Sequence, residues 1–368
     1  MAYFWSIPPI IIPASEETLS LLGMRSGPWN EVLMSGVWIV LSGALLLKGS
    51  KLTAQVTKIF MAMEIVAVLG FSILGMMHWH HIVGNNIAPS WQSFVIAMVV
   101  GATIVDGWEI DSYAAEEANL PRSTPGLGGI IGALMVLVYY GAIFPLMMHS
   151  VPLERLTHSS DVLSTWASTL VPHGQWIALW PILASTAGSL WLTTFILSKA
   201  LYAMARDHIL PAALAKRNPH QVATWTVVLP LIVGWLIITM QVFWQSLNTV
   251  FDLVLSAAGF FLILEFLFDS VSAAVFLTRV HHQHAHGEAH QHRGLLVVSY
   301  ITALWFAATV VIFLVYGPKA IGGPIDWVIG LMVLVGIVFL VWGYKRPSKR
   351  YHVFDPETRL VIEHEPKG

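Results

Sequence analysis

Residues 101–121 read GATIVDGWEIDSYAAEEANLP. The stretch begins inside a long apolar segment, yet it carries Asp106, Glu109, Asp111, Glu116 and Glu117. Hydrocarbon excludes that many carboxylates unless they face a sheltered, watery interior. In lipid every backbone N–H and C=O needs a partner, so a spanning segment is normally an unbroken helix, and a break is tolerated only where protein surrounds it. Gly107 supplies conformational freedom, while Thr103, Ile104 and Val105 are β-branched and stabilise a helix poorly. A break over residues 103–107 is therefore expected, of the kind that presents unpaired backbone groups to ions and small substrates.

Composition points the same way. The chain has 368 residues, of which 56% are hydrophobic and 11% charged, with a mean hydropathy of +0.69. Soluble domains carry about 25% charged residues, so these values imply a polytopic membrane protein. A net charge of −2 gives no basic balance toward nucleic acid. The absence of cysteine excludes disulfides, thiolate metal sites and cysteine nucleophiles. The N-terminal MAYFWSIPPIIIPASEETL lacks the basic flank and small-residue cleavage site of a signal peptide. Its apolar run ends near Ala14, about half of the ~20 residues a spanning helix needs, so it reads as a partial span over 1–14.

Nine further segments are long and apolar enough to cross, at about 30–47, 55–77, 92–113, 127–148, 175–203, 223–244, 250–278, 295–316 and 325–343. They form one membrane domain over 1–343, followed by a polar tail over 344–368 of a length suited to a short helix or a strand pair. With the tail in the cytoplasm, only Arg25, Arg155 and Lys319 of the 19 basic residues fall on the outer side, the asymmetry that orients membrane proteins. Trp29, Trp79, Trp91, Trp244 and Trp327 then lie near outer ends, and Trp225 and Trp342 near inner ends, as interfacial aromatic belts do. The expected location is the cell membrane, multi-pass, with lipid as surroundings.

GWEIDSYAAEEANLPRSTP, residues 107–125, resembles the sixth span of the amino acid–polyamine–organocation permeases. The shared pattern is Gly107, an aromatic (Trp108), an acid (Glu109), the pair Glu116–Glu117, then Asn119, Pro121, Arg122 and Pro125. ILSKALYAMARDHILP, 196–211, resembles the end of that family's eighth span, with Lys199 in place of the usual Arg, and LLLKGSKLTAQVTKIFMAMEI, 45–65, resembles its fifth-span region. Trp225 stands where the family has Pro after Thr224. The resemblance implies an all-α, leucine-transporter-type bundle of inverted repeats, entered here at the third span, so that the chain reads as N-terminally truncated. It implies a secondary transporter of amino acids or related amines working by alternating access, with no cofactor.

The resemblance and the local chemistry together nominate residues. Thr103, Ile104, Val105, Asp106, Gly107 and Trp108 form the expected substrate-binding break. Asp106 either pairs with a substrate ammonium or caps the second half-helix, and Trp108 either walls the site or packs. Thr186, Ser189 and Ser256 are secondary contributors. A desolvated carboxylate can bind and release protons near neutral pH, which makes Glu109, Glu64 and the i, i+4 pair Glu265 and Asp269 candidates for proton coupling; each has the alternative of a structural hydrogen bond. Glu116, Glu117, Arg122 and Arg206 are expected at the inner boundary as a gate or a structural clasp. Partners are a small amine-bearing substrate and protons; the sequence leaves a homodimer open.

The rival reading comes from 16 histidines. HWHH (78–81) and HHQHAHGEAHQH (281–292) invite a His-rich membrane metalloenzyme. The topology puts the two clusters on opposite sides of the membrane, about 30 Å apart or more, so they cannot share one centre, and 281–292 reads as a solvated loop rather than a metal site. No Gly-rich Lys phosphate loop and no nucleophile elbow is present. A non-functional truncated permease is the remaining alternative.

Overall fold

The structure is a computed structural model and describes residues 2–79, 90–91, 93–94, 97–98, 101, 107, 109–118, 120, 124–159, 161–243, 247–283, 289–321, 325–344, 351–355 and 360–364. In chain order its helices are α1 (Ala2–Leu21), α2 (Pro28–Leu47), α3 (Ser50–Met77), the short α4 (Ile110–Tyr113), α5 (Thr124–Ser150), α6 (Leu153–Thr157), α7 (Val162–Leu170), α8 (Gly174–Arg206), α9 (Thr224–Phe243), α10 (Leu247–Gln283), α11 (Ala289–Ile321) and α12 (Ile325–Tyr344). Single 3-10 turns cover Ala115–Glu117 and Ala212–Ala215. In the tail, β1 (Tyr351–Asp355) and β2 (Leu360–His364) pair antiparallel with Tyr351 opposite His364.

Among the described residues, six helices are long and apolar enough to cross a membrane: α2, α3, α5, α8, and the Gly259–Thr278 and Gly294–Gly317 parts of α10 and α11. Thr224–Met240 and Ile325–Val338 are shorter apolar stretches within α9 and α12. The chain is thus an all-α integral membrane protein with a small hairpin in its tail. Half of the expected span 92–113 lies outside the described residues.

Two sequence expectations are corrected. The N-terminal segment does not stop near Ala14 but continues as helix to Leu21. The hydroxyls of Ser15 and Thr18 donate to the carbonyls of Ile11 and Ala14 at 2.9 and 2.7 Å, and Ser15 also meets Ser35 of α2 at 2.8 Å, so polar side chains are absorbed within the helix and its packing. The histidine tract is also not a loop throughout, since α10 runs to Gln283 and α11 resumes at Ala289; residues 284–288 lie outside the described set.

The chain forms two compact units, one of Ser6–Ala88, Gly107–Leu247 and Phe339–Gly368, the other of Met1–Trp5, Pro89–Asp106 and Asn248–Val338. In the second unit, Phe260 and Ile263 of α10, Phe313 of α11 and Ile325, Ile329 and Met332 of α12 make an aromatic–aliphatic core.

In the first unit α8 is the central post. Its apolar window is 56% buried, against 11–33% for the other candidate spans, although its mean hydropathy of 1.3 is the lowest of the six. Burial without high hydropathy follows from small residues: Ala178, Ala184, Ala187, Gly188 and Ala205 are all buried on it. Between membrane helices the hydrophobic effect is absent, so close backbone approach and side-chain hydrogen bonds hold them together. Thus Trp191 donates its indole N–H to Thr57 of α3 at 3.0 Å, and Ser198 meets Thr226 of α9 at 2.9 Å. On α2, Gly36 lies under the Trp235 ring, whose N–H reaches the Val32 carbonyl at 3.0 Å. Fully buried Trp166 of α7 packs over Gly75 of α3 and donates to Ser150 of α5 at 2.6 Å. Ordering α2, α3, α8 and α9 in this way brings the α2–α3 turn, the end of α8 and the start of α9 to one end of the unit.

The two ends differ in charge. Lys48, Lys51, Lys199, Arg206, Lys216 and Arg217 belong to the end just named, and Arg25 and Arg155 to the other, where Glu16 faces Glu31 and Glu17 faces Asp161. Asp161 caps α7 by accepting the Ser164 N–H at 3.1 Å. Burial first, then Asp161 and Glu16, push the Glu17 carboxyl up to about 7. The folded chain therefore holds this proton more tightly than the unfolded chain. The associated stability is fully present below the ordinary carboxylate range and is lost as pH rises through about 7. Glu17→Gln is expected to remove that loss, melting about 1–3 °C above wild type in detergent at about pH 8 and level with it at about pH 4; an equal difference at both pH values contradicts this assignment.

Candidate functional site

The chain is helical at residue 101, non-helical at Gly107 and helical again from Ile110. Gly107 has φ +90°, a conformation strained for any residue with a Cβ. Its backbone donor is met locally: the Gly107 N–H donates to the Glu109 carboxylate at 2.9 Å. Glu109 is 7% exposed, so a buried acid and a left-handed, non-helical glycine sit in direct contact. Beyond it, Asp111 on α4 lies so close to Gly128 of α5 that a Cβ there would overlap its carboxylate. Thr103, Ile104, Val105, Asp106, Trp108 and Arg122 lie outside the described residues.

The 3-10 turn after α4 carries Glu116 and Glu117 to the basic end of the unit. Arg206 Nη1 of α8 donates to Glu116 Oε1 at 3.3 Å, and Lys199 Nζ bonds Glu117 Oε1. Arg206 Nε also lies 3.8 Å from Asp207. These side chains retain contact with solvent: 31% and 33% exposed for Lys199 and Glu117, 15% and 40% for Arg206 and Glu116. Pairs so exposed are worth about 0–1 kcal/mol each, enough to bias a contact and too little to lock it.

Three members of this cluster, Lys199, Tyr202 and Arg217, are not among the residues the sequence nominates. Lys199, Tyr202 and Arg206 recur at i, i+3 and i+7 along α8, so they share a face. Both Arg206 and Arg217 stack on the Tyr202 ring, at 5.6 and 4.6 Å, and Arg217 also bonds the Tyr202 hydroxyl. The loop bearing Arg217 is held by Asn218, whose Oδ1 accepts the His220 and Val222 N–H groups at 2.9 and 3.0 Å while its Nδ2 donates to the Leu47 carbonyl at 2.8 Å. The i, i+3, i+7 spacing was readable in advance; the loop contacts had no sequence signal. A cavity of about 410 Å³ lies among the α2–α3 turn, the Glu116–Glu117 turn, α8 and this loop.

Of the other nominated residues in this unit, Glu64, Thr186 and Ser189 are not among those lining the cavity. Glu64 is half-buried midway along α3, within electrostatic reach of Tyr139 on α5. In the other unit, Glu265 is half-buried and Asp269 exposed on α10. Thr186 donates back to Ile182 on α8 at 3.0 Å and Ser189 is exposed. Among the described residues no group of three His, Asp or Glu is arranged to hold a metal ion.

Residues 1–341 match the family model described as amino acid permease. The chain belongs to the amino acid permease family. A relative named amino acid transporter protein 6, from Caenorhabditis elegans, is 28% identical over 163 residues, a stretch covering 42% of this chain and 30% of that protein. The match therefore spans less than a third of the relative's length. Permeases are membrane transporters, so the chain is classed with transporters and not with enzymes, which removes the His-rich metalloenzyme from consideration.

In this permease α8 ends in a tight reversal, with the Ile209 and Leu210 N–H groups both on the Met204 carbonyl at 2.9 and 3.1 Å and His208 at φ +59°. Glycine is the usual occupant of that left-handed position, and a Cβ there is disfavoured by about 1–2 kcal/mol. His208→Gly is expected to raise stability by roughly 0.5–1 kcal/mol after the added flexibility of the unfolded chain is subtracted, read from SDS titration in mixed micelles; a loss of stability contradicts it.

Proposed function

We propose that this permease is a secondary transporter of amino acids or related amines that works by alternating access and is coupled to protons. The observation that carries the reading is the contact between the broken backbone at Gly107 and the buried carboxylate of Glu109. A helix break with exposed backbone groups recognises small charged substrates at mid-membrane, and an acid beside it changes charge on protonation. In this reading residues 103–108 bind substrate, with Asp106 toward its ammonium. Glu109 is the first candidate to carry the proton, ahead of Glu64, Glu265 and Asp269.

The ion pairs Glu116–Arg206 and Glu117–Lys199, with Arg122 nearby in sequence, act as the inner gate. Their exposure keeps them weak enough to part in each cycle. The basic end of the unit, and the tail with it, faces the cytoplasm of a cell membrane by the charge asymmetry. The inverted-repeat arrangement of the family's fold completes the proposal, and the name of the C. elegans relative agrees with an amino acid substrate.

Uptake of tritiated amino acids into proteoliposomes, with and without an imposed pH gradient, tests it. Accumulation driven by the gradient is expected, and Glu109→Gln is expected to flatten its pH dependence. Uptake that stays equally pH-sensitive in the variant removes Glu109 from the proton path; absence of any amino acid uptake removes the transport reading.

A further inference from the structure

Within the cavity at the basic end, charges do not balance locally. Glu117 is occupied by Lys199 and Glu116 by Arg206. Arg217 lines the same cavity, and its two described partners, the hydroxyl and the ring face of Tyr202, are both neutral. Among the described residues no carboxylate stands within ion-pair distance of it. A guanidinium carries five donors in a planar fork, and one bond to a hydroxyl leaves most of that fork unused. Its natural complement is a planar carboxylate, bound through two parallel hydrogen bonds. On the cavity's other wall the Glu116 carboxylate is 40% exposed and touches Arg206 through one oxygen, which leaves its second oxygen for a cation. The volume, about 410 Å³, lies within the roughly 300–1,000 Å³ of small-molecule sites.

We infer that this cavity is a second amino acid site at the inner mouth of the permease, taking the substrate carboxylate on Arg217 and its ammonium on Glu116. The two walls differ in how they are held. Asn218 ties the Arg217 loop to the α2–α3 turn through backbone carbonyl and amide groups, whereas the Glu116–Glu117 turn is held across the cavity by solvent-touched ion pairs. A zwitterion seated between them competes with Arg206 for Glu116, so its arrival loosens the moving wall while the fixed wall retains it. The choice of an amino acid as occupant rests on the transport reading; the incompletely matched guanidinium does not.

The test is equilibrium binding to the purified full chain in phosphatidylcholine nanodiscs, using tritiated proteinogenic L-amino acids in turn and, for each that binds, its α-amide. Wild type is expected to show two components, one of which Arg217→Gln weakens about tenfold or more, the loss of charge-assisted hydrogen bonds. Arg217→Lys keeps the charge without the fork and should fall between the two. The α-amide, which lacks the carboxylate, should miss the Arg217-dependent component in wild type itself, so the result does not depend on a variant folding. An isotherm unchanged by Arg217→Gln, or an amide that binds as well as the acid, overturns the inner site while proteoliposome uptake still stands on its own. If no amino acid binds at millimolar concentration, the inner site is likewise overturned, and uptake decides the transport reading separately. If phosphatidylglycerol nanodiscs instead show Arg217-dependent lipid retention by native mass spectrometry and no amino acid binding, the cation serves a lipid headgroup and the proposal falls.

Discussion

At Gly107 the chain takes a left-handed turn outside any helix, and its amide hydrogen needs an acceptor other than a helical carbonyl. The acceptor present is the carboxylate of Glu109, two residues on, folded back at 2.9 Å. This single bond gives two otherwise unfavourable features a common solution. The left-handed glycine has a backbone donor that no helix satisfies, and the buried acid needs donors to be tolerated. Among the described acids of this stretch Glu109 is buried, while Glu116 and Glu117 belong to the charged end, where cations from α8 meet them.

Around that break the scaffold is assembled by close approach more than by greasy bulk. The least apolar of the candidate spans is the most enclosed, because its alanines, glycine and hydroxyl side chains let other helices come near. Indole N–H groups do much of the joining. Trp166, Trp191 and Trp235 each reach an oxygen on a neighbouring helix. Each such tryptophan combines a large contact area with one directional bond, which fixes rotation as well as distance between helices.

Much of this architecture could be read in advance. Helix positions followed from long apolar runs, and the helix ends observed for α2, α5, α8 and α9 fall within a few residues of those runs. Gly107 stood out because a glycine between β-branched residues and acids has no helical rationale. Where reading failed, the cause was chemistry that a hydropathy pattern does not register. The N-terminal helix extends past its apolar run because Ser15 and Thr18 satisfy themselves on its own carbonyls. The histidine tract is partly helical, with α10 running to Gln283 and α11 resuming at Ala289. Arg217 and Asn218 were invisible since their partners, Tyr202 and the Leu47 carbonyl, are distant in sequence or belong to backbone.

Asn218 joins two turns that lie 171 residues apart. Three of its bonds go to main-chain groups, so the match concerns the path of the backbone and hardly at all the side chains of the other turn. A chimaera that takes the α2–α3 hairpin from one permease and the α8–α9 connection from another would tolerate wide sequence difference in both pieces. It would not tolerate a change in the length of either turn, for then the amide would meet no carbonyl and the floor of the inner mouth would come loose.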